Sequence, residues 1–269
     1  MIYLSFKYSV IITLLITSIF LFYGCIYSII EKRNSLYIYS TFGPNGILFT
    51  GIIGTTVHEI GHLIMCLIFN HKINDFQLFN FRGYKYEETL GYVSHRYNDR
   101  NLYQKSGNFF IGIAPMISGT LFIIVIFKLL LPDIFENIRI NEYLTSLSYI
   151  NIENTIILLI NLSKTLFLSL FDIHNFKNIN FYIFVYLMFS VSSHISLSKK
   201  DFKNSYIGIF SLFLMIFIIC LSSIIFNFNI KMLIMVFMKI SIYLFSFLSI
   251  GLIFSLISLI ISYSLSMLK

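Results

Sequence analysis

The sequence predicts an all-α polytopic membrane protein of about six transmembrane helices. Three observations predict it. Of 269 residues, 57% are hydrophobic and only 12% charged, whereas a soluble domain needs about 25% charged residues to cover its surface. Mean hydropathy is +0.84. The apolar residues also fall in runs long enough to cross about 30 Å of hydrocarbon. A soluble enzyme and a disordered chain are both excluded on these numbers. The net charge of +7 is the excess expected beside membrane spans, so no nucleic-acid partner is needed to explain it. Cys25, Cys66 and Cys220 are scattered in apolar runs without CxxC spacing, which excludes a disulfide scaffold, an iron–sulfur site and a thiolate zinc site.

The first run, residues 8–30, carries no charge between Lys7 and Glu31-Lys32-Arg33. It is too long for a signal-peptide core and reads as a retained anchor. Residues 47–69 form the second span. Residues 109–131 form the third, where Gly112, Ala114, Pro115, Ser118 and Gly119 offer a small-residue packing face. Residues 179–197 and 206–226 follow as two further crossings. Residues 232–268 are interrupted only by Lys239 and read as one tilted helix or as a pair broken at Gly251. Residues 154–171 read as an interfacial or re-entrant helix, because Lys164 lies near their centre.

Residues 70–108 are the most polar part of the chain. DFQLFNF and LGYVSHRY alternate as short strands do, and Gly83 and Gly91 are turn signals, so a small hairpin is expected there. The basic residues place the N-terminus, this loop, residues 198–205 and the C-terminus together on the cytoplasmic side. The whole chain is read as one membrane domain, with a core of about 44–131 plus 179–205 and accessory helices over 206–269.

The chemistry sits in His58-Glu59-Ile60-Gly61-His62. Residues four apart share a helix face, so His58 and His62 can put two imidazoles on one Zn2+. Glu59, offset by one position, reaches the attacking water as general base without being a ligand. The bland alternative is a buried polar contact between helices. Each ionisable group at bilayer depth costs about 2.5–3.5 kcal/mol by insertion scales, so three within five residues make expensive packing unless an ion repays it.

HEIGHLIMCLIF inside a span, a polar strand-like segment after it, and GNFFIGIAPMISG opening the next span resemble the M50 (site-2 protease) family of intramembrane zinc metallopeptidases. The resemblance covers residues 47–131 well and 179–201 more loosely. It implies a three-helix catalytic core, zinc held by both histidines and a later carboxylate, and hydrolysis of a membrane-anchored peptide or protein within the bilayer. A multi-pass location in a bacterial cell membrane is expected. The family's Asp-Gly ligand motif does not occur in this chain.

A catalytic zinc takes three protein ligands and keeps one position open. The candidates for the third are His194, Asp201, Asp172, His174, Asp133 and His95. Depth favours His194, near the cytoplasmic end of the 179–197 run, and Asp201 just beyond it. Asp133, Asp172 and His174 fall on the far side, with Asp172 the fallback. His194 and Asp201 are seven apart, so either can be the ligand and the other its partner. Asp201 can equally be the capping residue, with Ser198, of the next helix. His95 and Tyr92 lie on a strand that could offer its edge to substrate. His71, just past the end of the HEIGH helix, is placed to meet its C-terminal dipole. The function expected is therefore intramembrane zinc proteolysis. The rivals are a membrane metal-binding or transport protein and an inactive protease homologue.

Overall fold

The computed structural model describes residues 2–81, 89–138, 140, 152–226 and 230–268. Gly83 lies outside them. The protein is an all-α polytopic membrane protein, with one small two-stranded sheet among the described residues. Among the described residues, five helices are long and apolar enough to cross a membrane.

Helix α1 (Ile2–Ile68) is two arms joined at Gly43, whose φ of 63° and ψ of −158° lie outside the helical region. Glycine adopts that conformation without a Cβ penalty. Pro44 follows, where its missing N–H and fixed φ suit the first turn of a new helix. The arms fold back on one another, so that Glu31 and Ser35 of the first share a cavity with His58 of the second.

Strands β1 (Lys72–Gln77) and β2 (Tyr92–Arg96) form the expected hairpin, antiparallel with an irregularity between Ile73 and Asp75. Helix α2 (Leu102–Leu130) is capped by the Asn101 side chain, which accepts from the N–H groups of Tyr103 and Gln104. Its Phe109, Ile113, Met116, Ile123 and Phe127 are all buried, which makes it the centre of the bundle. Helix α3 (Pro132–Asn137) is short.

Helix α4 (Ile152–Leu170) corresponds to the segment read as interfacial. It lies lengthwise along α7 (Ile230–Met267): Leu159 meets Met238 and Ile242 in one cavity, and Phe171 stacks on Phe254 with centroids 5.9 Å apart. By length and composition it too is able to cross. Leu162, Leu166 and Leu170 are buried while Lys164 points away from the bundle, so the lysine sits on the outer face of a packed helix.

A 3₁₀ turn (Ile173–Lys177) leads into α5 (Ile179–Ser192), and α6 (Lys199–Ile225) follows. The expectation of two crossings that reverse at residues 198–205 is corrected here. Along α2, Phe127 meets Phe184, Gly119 meets Val191 and Ile195, Gly112 meets Asp201 and Ser205, Phe109 meets Gly208, and Ser106 meets Met215. The order is monotonic. Helices α5 and α6 therefore continue in one direction, antiparallel to α2, with a break at 193–198. Hydropathy reads the Ser- and Lys-rich residues 198–205 as a loop, but they open α6, and the break just before them lies alongside the middle of α2.

Helix α7 runs unbroken through Gly251, whose missing Cβ makes room for the Tyr27 hydroxyl. It is parallel to the first arm of α1: Phe20 meets Phe245, Tyr23 bonds Ser249, and Tyr37 meets Tyr263. The C-terminal end of α7 therefore lies at the Gly43 end of the bundle. This corrects the placement of the two termini on one side. Buried Asn34 ties the break to α7, donating to Ser193 Oγ (3.3 Å) and Ser258 Oγ (3.0 Å) and accepting from Ser262 Oγ (2.7 Å). Such interhelical hydrogen bonds supply adhesion where apolar burial alone does not.

Candidate metal centre

His58 and His62 lie one turn apart on the second arm of α1, their ring centroids separated by 4.9 Å. A backbone carbonyl orients each ring. His62 donates its Nδ1–H to the carbonyl of Ile111 (2.9 Å). That carbonyl would ordinarily accept from residue 115, but Pro115 has no N–H, so the oxygen is free. His58 donates its Nδ1–H to the carbonyl of His194 (2.8 Å), which lies in the break after α5. With both Nδ1 atoms donating, both Nε2 atoms carry lone pairs.

Those lone pairs face the carboxylate of Asp201. The distances are 3.4 Å from His62 Nε2 to Oδ1 and 3.9 Å from His58 Nε2 to Oδ2. Donor atoms at 2.0–2.2 Å from a tetrahedral ion lie about 3.3–3.5 Å apart; the His62–Asp201 distance has that size, and the His58–Asp201 distance is longer. Three converging acceptors in a buried site repel unless a cation sits among them. The three residues can hold a metal ion. Asp201 is also the capping residue: Oδ2 accepts the Ser198 N–H (2.8 Å), and Ser198 Oγ accepts the Asp201 N–H (3.2 Å). The cap and the approach to the histidines are compatible, because the cap orients the carboxylate that meets the two rings.

Close helix approach makes this convergence possible. A Cβ on Gly112 would run into Ser205 Oγ and the Asp201 carbonyl, and one on Gly54 would run into the Ser190 carbonyl. These two glycines let α6 and α5 approach α2 and the HEIGH arm.

Glu59 is 7% exposed. It lines a cavity of about 270 Å³ with Glu31, Ser35, Thr55, His58, Leu90, Gly91 and His194. Gly91, at the start of β2, packs so closely that an added Cβ would lie 2.9 Å from Glu59 Cγ. Glu31 Oε2 and Thr55 Oγ1 are buried, with no hydrogen-bond partner among the described residues. Sequence reasoning missed Glu31, which reads as a charge flanking the first span.

The remaining candidates separate. His194 contributes its carbonyl rather than its ring, whose Nδ1–H donates to the Ser190 carbonyl (3.0 Å). Asp172 is exposed, caps the 3₁₀ turn and bonds His174 Nδ1 at 2.9 Å. Asp133 is exposed in the first turn of α3. Tyr92 donates its hydroxyl to Asp75 Oδ2 (2.5 Å) across the hairpin. His95 turns instead toward His71, with their Nδ1 atoms 3.1 Å apart. Burial lowers the pKa of both of these imidazoles.

Comparison with family models, curated proteins and solved structures finds no match to this chain.

Proposed function

We propose that the chain is an intramembrane zinc metalloprotease of the M50 type, cleaving a membrane-anchored peptide or protein. One observation carries the reading: Glu59 opens onto a cavity beside His58, where His58, His62 and Asp201 converge inside a bundle of apolar helices. Zinc suits two imidazoles, one carboxylate and an open position. A bound zinc would supply Lewis acidity and lower the pKa of water. The chain's own groups do the rest. Glu59, buried at the cavity, accepts a proton from the attacking water and delivers it to the leaving amine. The carbonyls of Ile111 and His194 keep both imidazoles in the tautomer that presents Nε2. Leu90 and Gly91 line the cavity on its hairpin side.

A substrate helix must unwind, because its own hydrogen bonds cover the scissile carbonyl. Pairing with the hairpin beside Glu59 would compensate the freed backbone groups. Lys72 and Arg96 pair across the hairpin, and Arg100 and Lys105 follow it around the start of α2, which supports a cytoplasmic hairpin and N-terminus. Reconstitution with a single-span reporter tests the reading. Cleavage that persists in Glu59→Gln would contradict it.

A further inference from the structure

We infer a second transition-metal site, formed by Cys66, His71 and His95, that clamps the hairpin to the end of the HEIGH arm. It is independent of the proteolytic reading and stands or falls without it. The CxxC rule sees only paired thiols and misses a site assembled from a helix cap and a strand.

The cap does the assembling. The HEIGH arm ends in a Schellman arrangement: the His71 N–H donates to the Cys66 carbonyl (2.8 Å) and the Asn70 N–H to the Leu67 carbonyl (3.1 Å). Asn70 takes the left-handed conformation this requires, at φ 54°. The reversal returns His71 to Cys66, which lies one helical turn beyond His62. Register then delivers His95, the cross-strand partner of Ile73. One ligand atom from each of Cys66, His71 and His95 lies within 4.8 Å of the others. Cys66 is 0% and His71 5% exposed.

The tautomer of His71 suits coordination. Its Nε2–H donates to the Gln104 carbonyl (2.8 Å), so Nδ1 carries the lone pair, and that atom faces His95 Nδ1 at 3.1 Å. Two imidazole nitrogens on one tetrahedral ion lie about 3.3 Å apart, so the pair is nearly at ligand spacing. Tyr97 stacks on His71 at 5.0 Å and closes that side. One thiolate with two imidazoles selects an ion of the zinc class. Binding replaces the Cys66 thiol proton, so one proton is released per ion. The ion would pin β2, whose leading Gly91 packs on Glu59, to the helix that carries both site histidines.

The competing account is a simple His71–His95 hydrogen bond with an uninvolved thiol. Cobalt distinguishes them, since thiolate-to-cobalt charge-transfer absorption cannot come from a His2Asp site. The test uses the full chain in detergent with Cys25→Ser and Cys220→Ser, leaving Cys66 as the one thiol, titrated with Co2+. The expected result is a charge-transfer band that survives His58→Ala/His62→Ala and is lost in Cys66→Ser. His95→Ala and His95→Gln should each weaken cobalt binding in that band by at least about tenfold. Absence of the band at cobalt saturation overturns the site. So does a band unchanged in both His95 variants. If cleavage fails while the band appears, the proteolytic reading falls and this one remains.

Discussion

Replacing Pro115 with alanine should make the protein more stable and its metal binding weaker. Alanine restores an N–H at 115, which can donate to the Ile111 carbonyl, the acceptor that holds His62 Nδ1 at 2.9 Å. Loss of a hydrogen bond that orients a metal ligand costs about 10–100-fold in affinity. A carbonyl has two lone pairs and can serve both donors in part, which puts the expectation at the lower end, about tenfold or 1.4 kcal/mol. Helix stability moves the other way. Proline costs up to about 3 kcal/mol in a helix interior, and part of that returns with the restored bond. Competition with a chromophoric chelator measures the first effect and thermal unfolding of metal-free protein the second. Unchanged affinity in a stabilised variant would refute the idea that Pro115 frees the Ile111 carbonyl for His62.

Asp201→Asn should lose the metal yet hold α6, because the amide oxygen still accepts the Ser198 N–H. Metal analysis should show loss, with metal-free stability changed by no more than about 1 kcal/mol. His194→Ala should retain stoichiometric metal, since the residue acts through its carbonyl; metal loss comparable to Asp201→Asn would make the ring a ligand. Tags at the two termini should report opposite sides of the membrane in a protease-protection assay, because α7 runs parallel to the first arm of α1. Same-side protection would contradict that packing.

HEIGH was legible because its spacing matches the helical repeat, so its face follows from local geometry alone. The hairpin was legible for the same kind of reason, with alternation between turn residues. The third member of the cluster was only half legible. His194 and Asp201 are seven residues apart, which does not say that the chain breaks between them and gives one a backbone role and the other a side-chain role. The break itself was hidden, since Ser198-Lys199-Lys200 is polar like a loop but caps a helix alongside Gly112. Counting charges then put the C-terminus on the wrong side relative to the N-terminus. Glu31 joins the cavity only because the chain folds back at Gly43, and no local pattern announces that pairing. Cys66, His71 and His95 meet through a left-handed asparagine and a strand register, both tertiary facts.

The central claim is that Glu59 acts on water beside a metal held by His58, His62 and Asp201. The direct measurement is cleavage of a single-span reporter in proteoliposomes, with metal content determined on the same preparations, for wild type, Glu59→Gln and His58→Ala/His62→Ala. Glu59→Gln should keep the metal of this site and lose cleavage by at least about 100-fold, while the double histidine variant should lose both. Wild-type cleavage by Glu59→Gln, or equal metal in wild type and the double variant, would contradict it.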